Sequence, residues 1–362
     1  MSGLVPFWFI VIAFFWTGFF ILEGFDFGVG MLHDLVGTDD ASRRAAINTI
    51  GPLWDGNEVW LIVAGASMFA AFPGWYATMF SALNLALVLL LVALIARGLA
   101  FEYRGKRDTA HWRRTWDVSL TVGSLLAPFL IGVALGDLLH GLPINSSQNY
   151  TGSFWDLLQP YGIFTGITLV LLCALHGATF LELKTTGDMR ERAARLARQV
   201  APFTAAAVIG FIIWTHVTHT SAFFLNPIEL LAVLAVLAAV WLVYEPHRHG
   251  FAFAATTVTI ASCIVAIFVG LYPNVMVSTT NAADNLTARN TASAAYSLKV
   301  MTVVAIILVP LVLAYQTWTY YVFRQRVSKQ QFQASPAPST PPGSRLPAVT
   351  HDAAPPSAGG GT

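Results

Sequence analysis

Leu22-Glu23-Gly24-Phe25-Asp26-Phe27-Gly28-Val29-Gly30 and Gly51-Pro52-Leu53-Trp54-Asp55-Gly56-Asn57-Glu58-Val59-Trp60-Leu61 set four carboxylates inside two long apolar runs. A helix crosses a hydrocarbon core of about 30 Å with about 20 apolar residues, and both runs are long enough. Glu23 and Asp26, and likewise Asp55 and Glu58, are spaced i, i+3, so each pair shares one helix face. A charge at mid-bilayer costs at least ~2.5–3.5 kcal/mol on the most lenient scale. Four of them in two helices demand partners, water or protons.

The rest of the chain repeats the apolar part of that pattern. Of its 362 residues, 56% are hydrophobic and 11% charged, whereas ordinary soluble chains carry roughly a quarter charged residues. The apolar residues fall in long runs and not in short amphipathic stripes, which excludes a soluble domain with one buried core. Nine spans are expected, at about 6–34, 47–71, 76–101, 115–137, 160–183, 200–221, 227–245, 250–271 and 293–323. The fold class is therefore an all-α polytopic membrane protein. Leu22-Glu23 and Leu181-Glu182 each follow an aromatic-rich stretch in spans one and five, which fits two four-helix bundles plus one additional helix. The apolar start, without a basic region or small-residue cleavage site, reads as a first span and not as a removed signal peptide.

Basic residues orient the spans. Of 20 Lys and Arg, 17 fall in alternate connections and the C-terminal tail, from Arg43 and Arg44 to Lys329 and Arg345. The opposite connections hold Arg289 alone, while Arg97 and Lys299 lie within spans. Cytoplasmic loops carry the basic excess, so the N-terminus is expected outside and the C-terminus in the cytoplasm. Phe72-Pro73-Gly74-Trp75-Tyr76 reads as a tight outer hairpin with interfacial aromatics. The transmembrane domain is expected over 1–325. From 326 to 362 the composition turns to Pro, Ser, Ala and Gly, the signature of a disordered cytoplasmic tail.

The acidic residues carry the chemistry. Spans one and two are antiparallel, and both pairs lie about ten residues from the connection between them, on the order of 15 Å into the membrane. One polar cluster suited to taking up and releasing protons follows, with Asp55, Glu58, Asp26 and Glu23 as its members. The plainer reading is that these acids satisfy Arg97, Lys299 or another chain as ion pairs. Gly24, Gly28 and Gly30 permit close helix contact, and Pro52 and Gly56 loosen the second helix near Asp55. Trp54 and Trp60 flank the second pair. His176, His216 and His219 are candidate haem ligands by side-chain chemistry alone, and no spacing selects that role over the favoured one of hydrogen-bonded bundle histidines. Cys173 and Cys263 read as small buried apolar groups, and Glu229 after Asn226-Pro227 as a helix-start residue.

The two acidic segments closely resemble the hallmark segments of cytochrome bd oxidase subunit II. Arg43-Arg44-x-x-Ile47-Asn48 and Trp112-Arg113-x-x-Trp116-Asp117 are also similar to that family, and the resemblance runs over about residues 1–325. It implies the haem-free subunit II of a quinol:oxygen oxidoreductase, not catalytic alone, in the inner membrane of a prokaryote. Its partner would be a similarly folded subunit I in a heterodimer, carrying haems b and d and oxidising quinol. Electrons would reduce oxygen to water with protons taken from the cytoplasm. The resemblance also implies a structural quinone, menaquinone or ubiquinone, in a groove of this subunit, and small single-span subunits in some complexes. Trp54, Asp55 and Trp60 match the segment tied to proton and oxygen access, and Asp26 and Glu23 match the first-span acidic segment. The related cyanide-insensitive oxidases share the fold. Nothing points to nucleic acid. Two other readings stay open on the residues: a proton-coupled secondary transporter, and a subunit whose acids serve assembly alone.

Overall fold

Out of water, a backbone must pair its own N–H and C=O groups, so long apolar runs become helices. In a computed structural model of the chain, residues 3–219 and 224–333 are described, apart from the side chain of His219. The helices are α1 (Leu4–Val36), α2 (Asp40–Asn48), α3 (Trp54–Ala71), α4 (Pro73–Ala82), α5 (Asn84–Tyr103), α6 (Ala110–His140), α7 (Pro160–Lys184), α8 (Gly187–His219), α9 (Pro227–Tyr244), α10 (His249–Leu271) and α11 (Ala295–Val322). A small antiparallel pair, β1 (Asn274–Met276) and β2 (Leu286–Thr287), lies between α10 and α11.

Among the described residues, eight helices are long and apolar enough to cross a membrane: α1 and α5 to α11. The helix expected over 47–71 runs over Trp54–Ala71 alone, as long as α9 but less apolar, because Asp55, Asn57 and Glu58 lie in it. Pro52 brings no backbone N–H, and residues 49–53 form turns in which Leu53 and Trp54 both donate to the carbonyl of Ile50. The helix therefore starts at Trp54, with Asp55, Asn57 and Glu58 in its first turns. The connection before it is itself helical. α2 is capped by a reciprocal pair, with Asp39 accepting from the Ser42 N–H and Ser42 from the Asp39 N–H. The span expected over 76–101 is broken at Leu83, between α4 and α5.

α1 is the centre of the helical unit and packs against α3, α6, α7 and α10. Its closest approach is to α7, where Gly28 faces Gly177 and a Cβ on Gly28 would strike the Cys173 carbonyl. Small residues at such a crossing let two backbones touch. Both cysteines are free and buried. α11 stands apart, with Leu298 its sole buried residue. It is held at one end by Trp8, whose Nε1 donates to Leu298 O at 3.2 Å and Thr302 Oγ1 at 3.0 Å. The Leu-Glu similarity of spans one and five does not extend to the helices, since Glu23 is mid-helix and Glu182 is in the last turn of α7.

The helical unit reaches Phe332, so the segment expected to begin a disordered tail at 326 starts with packed residues. Val327 N donates to Lys184 O at 2.7 Å, a 3-10 turn spans Lys329–Phe332, and Arg44 lies over the Phe332 ring. Lys329 pairs with Asp39. The Lys329 ammonium and the Ser42 N–H hold the Asp39 carboxyl down at about 2. Residues 334–362 of the expected tail lie outside the described residues.

Candidate functional site

The residues of the two acidic segments meet around one buried arginine. Arg97, on α5, is fully buried, and its Nη1 lies 2.6 Å from Glu23 Oε1 and 2.8 Å from Glu58 Oε1. The guanidinium also stands over the rings of Phe27 and Phe101, at 4.9 and 5.4 Å, a cation–π setting that offsets part of its desolvation. Its Nε and Nη2 have no hydrogen-bond partner among the described residues.

Asp26 sits one turn along α1 from Glu23 and meets α3 through Asn57. Asn57 Nδ2 donates to Asp26 Oδ2 at 2.6 Å and to Leu22 O at 3.3 Å. Asn57 Oδ1 accepts from Gln316 Nε2 at 3.0 Å and from Tyr320 OH at 2.9 Å, both on α11. One buried amide thus ties α1, α3 and α11 together at the acids. Three carboxyl groups, those of Glu23, Asp26 and Glu58, face one guanidinium. The group therefore holds more carboxyls than cations.

Asp55 does not join them. It is exposed in the first turn of α3, where the free N–H groups of a helix start favour a carboxylate. The i, i+3 relation to Glu58 holds, but Asp55 lies a turn farther from Arg97. Trp54 is half-buried and stacks on Phe101 at 4.7 Å, so it walls the arginine. Trp60 is buried against Phe14 and Phe15, and a Cβ on Gly18 would overlap its ring. Lys299 is exposed on α11 and takes no part.

Two of the three candidate histidines, His176 and His216, are engaged. His176 Nδ1 lies 2.7 Å from Thr256 Oγ1 and Nε2 lies 3.2 Å from Ile21 O, with its ring stacked on Phe253 at 4.5 Å. His216 Nδ1 pairs with Glu229 Oε2 at 2.8 Å, and Glu229 also closes a capping box with Asn226. The side chain of His219 lies outside the described residues.

Sequence reasoning passed over Asn57 as a functional residue, because a neutral amide raises no alarm in an apolar run. It also passed over the pairing of Asp117 with Arg104, whose Nε and Nη2 donate to the carboxylate at 2.5 and 3.3 Å. Asp117 belongs to the Trp116-Asp117 motif, and a carboxylate at the start of the fourth span was the available signal. A cavity of ≈ 730 Å³ opens among Trp16, Met68, Trp75, Tyr76, Leu87 and Phe268. Its wall is almost wholly apolar, and Trp75 Nε1 is buried without a hydrogen-bond partner among the described residues.

Known proteins place the chain in context. A family model described as cytochrome bd terminal oxidase subunit II matches residues 4–323. Cytochrome bd ubiquinol oxidase subunit 2 of Bacillus subtilis (strain 168) is 42% identical over 338 residues, covering 91% of this chain and 99% of that protein. Cytochrome bd-I ubiquinol oxidase subunit 2 of Escherichia coli (strain K12) is 33% identical over 369 residues, covering 90% and 96%. Among solved structures, a chain of the bd oxidase from Geobacillus thermodenitrificans superposes with a TM-score of 0.68 at 18% identity, over 89% of this chain and 99% of that one. At that identity, the superposition speaks to the fold.

Proposed function

The chain belongs to the cytochrome bd terminal oxidase subunit II family, and from that premise we propose that its buried acids hand protons to oxygen reduction in a partner chain. The observation that carries this reading is the charge imbalance at Arg97, where Glu23 and Glu58 share one guanidinium and Asp26 stands beside them. A purely structural ion pair needs one carboxylate. The additional carboxyl groups give a store that fills from the cytoplasm and empties toward the reaction.

Glu23, Asp26 and Glu58 hold and exchange the protons, Arg97 keeps the group from repelling itself apart, and Asn57 orients Asp26. Asp55, exposed at the start of α3, serves as the carboxylate nearest a partner, and Trp54 and Trp60 border the access of protons and oxygen. The haems b and d belong to subunit I of a heterodimer, where they supply electron transfer and oxygen reduction. What supports a haem-free chain is the state of two of the histidines read as ligand candidates: both ring nitrogens of His176 have partners, and His216 is paired with Glu229. Single-span subunits complete some such complexes, and quinol and oxygen are substrates of the whole. The ≈ 730 Å³ cavity suits a lipid-like quinone, menaquinone or ubiquinone, with Trp75 Nε1 as the donor to a ring carbonyl.

In this reading α3 is the ninth span, made less apolar by the acids it carries. Helices α1, α3, α5 and α6 form one four-helix bundle and α7 to α10 the other, with α11 outside both. The N-terminus faces outward in the inner membrane of a prokaryote, as the basic connections require.

The test is purification through a C-terminal tag, with reduced-minus-oxidised spectra and quinol-dependent oxygen uptake. A haem-bearing membrane partner with oxygen uptake is expected, and Asp26→Asn is expected to lower turnover by about 10-fold or more with unchanged spectra. Normal turnover in that variant ends the proton role of the cluster.

A further inference from the structure

On α1 and α6, three buried polar atoms have no hydrogen-bond partner among the described residues: His33 Nε2, Ser124 Oγ and Asp26 Oδ1. They follow one line. Asp26, Gly30 and His33 are spaced i, i+4, i+7 and so lie along one stripe of α1. Gly30, in the middle, faces Ser124 so closely that a Cβ on it would strike the Ser124 hydroxyl. On α6, Asp117 and Ser124 are two turns apart on one face.

The lower end of the line has a graded exposure. Asp34 is 21% exposed, while His33 and Asp117 are at 0% and 1%. His33 Nδ1 is 2.8 Å from Gly30 O. A carbonyl only accepts, so Nδ1 carries the hydrogen and Nε2 presents the lone pair. That nitrogen lies 3.5 Å from Asp117 Oδ1 and 3.7 Å from Asp34 Oδ1. These three side chains have the geometry of a small cation site. The same carboxylates are already held by Arg43, Arg104 and Arg114. A divalent ion would bring two charges beside three guanidinium groups, whereas a proton brings one beside the same groups.

We propose that the seam between α1 and α6 is a proton intake line leading from Asp34 through His33 and Ser124 to Asp26. The inference rests on the proton role of the acid cluster and names how that cluster is filled. A proton from solvent arrives at the Asp34 mouth and binds His33 Nε2, giving an imidazolium steadied by Asp34 and Asp117. Nε2 releases it to water beside Ser124. The Ser124 hydroxyl accepts from that water and gives its own hydrogen toward Asp26 Oδ1, converting carboxylate to acid. One proton enters for each that Asp26 passes on, and no electron moves. Along α1, Gly30 is about 4.5 Å from His33 and about 6 Å from Asp26, so one or two waters bridge each gap.

The experiment uses the purified oxidase complex containing this chain, with Ser124→Ala, His33→Asn and Asp26→Asn. The asparagine at 33 keeps a donor for Gly30 O and loses the base. His33→Asn and Ser124→Ala are each expected to lower oxygen uptake by about 10-fold and to enlarge the solvent isotope effect, with haem spectra and subunit recovery unchanged. Slow turnover with an unaltered isotope effect marks structural damage and overturns the line. If His33→Asn fails to assemble, Ser124→Ala decides alone. Full turnover at 124 or 33 together with slow Asp26→Asn overturns the line but leaves the cluster in its role. Full turnover in Asp26→Asn removes the cluster's proton role, and the intake line with it.

Discussion

Asn57 Nδ2 donates to Asp26 Oδ2 at 2.6 Å, and the two residues belong to different antiparallel helices, α3 and α1. The other end of the amide accepts from Gln316 and Tyr320 of α11. With two donors at its oxygen, the amide has a single orientation that satisfies everything, and Asp26 is met by N–H and not by a second oxygen. The position of α11, otherwise barely buried, is thereby coupled to the acid cluster.

Replacing Asn57 with Leu keeps the bulk and removes all four contacts. Asp26 then loses a partner in a buried setting, at about 1–3 kcal/mol, and the half-buried Gln316 and Tyr320 lose theirs at less. The thermal inactivation midpoint of the complex should fall, and turnover with it. An unchanged midpoint would show that the amide ties nothing together.

Arg97→Gln strips the single cation from three carboxyl groups. Breaking a buried pair on one side costs about 3–5 kcal/mol, because the other charge stays behind. The expected outcome is poor recovery of the complex from membranes. Adding Glu23→Gln should restore recovery in part by removing one of the stranded charges. Equal recovery of the single and double variants would argue against Glu23 as the partner.

The acid pairs were legible in the sequence because a charge inside an apolar run is costly and therefore conspicuous, and for the same reason Arg97 was one candidate partner beside Lys299 and another chain. The spans were legible as apolar length. What hydropathy does not register is where a helix begins: the turns at 49–53 look as apolar as a helix, yet they delay α3 to Trp54 and leave Asp55 in its first turn. Shared spacing placed Asp55 with Glu58 on one face, but only the packing of α3 on α1 and α5 decides which of them reaches Arg97. Asn57, Ser124 and His33 carry no fixed charge, so their burial in pairs of helices was invisible before the helices were set side by side.

The contact of Lys329 with Asp39 fastens residues 326–332 to the connection between α1 and α3. With the Asp39 carboxyl lowered to about 2 in the folded chain and about 3.9 when unfolded, its contribution is complete above the unfolded value and fades as pH falls through the folded one. The contact should persist throughout the neutral range and weaken between about pH 4 and about pH 2. Hydrogen exchange at Val327 and its neighbours reports this, and Lys329→Ala should give fast exchange already at neutral pH. Deleting 334–362 should leave oxygen uptake unchanged, and a loss of activity on that deletion would give the tail a role.

Asp55 and Glu58, one turn apart, test whether exposure or the Arg97 contact decides function. Glu58→Gln leaves a hydrogen-bonding group against Arg97 and removes one proton carrier, so assembly should hold while oxygen uptake drops by about 10-fold. Asp55→Asn breaks no hydrogen bond or ion pair among the described residues and leaves the Arg97 contacts in place. A drop of similar size there, with spectra intact, places Asp55 on the path where α3 begins. Normal turnover in Asp55→Asn beside a slow Glu58→Gln confines proton handling to Glu23, Asp26 and Glu58. Were Asp55→Asn slow and Glu58→Gln fast, the carboxylates bound to Arg97 would be structural, and protons would reach the reaction without crossing the buried cluster.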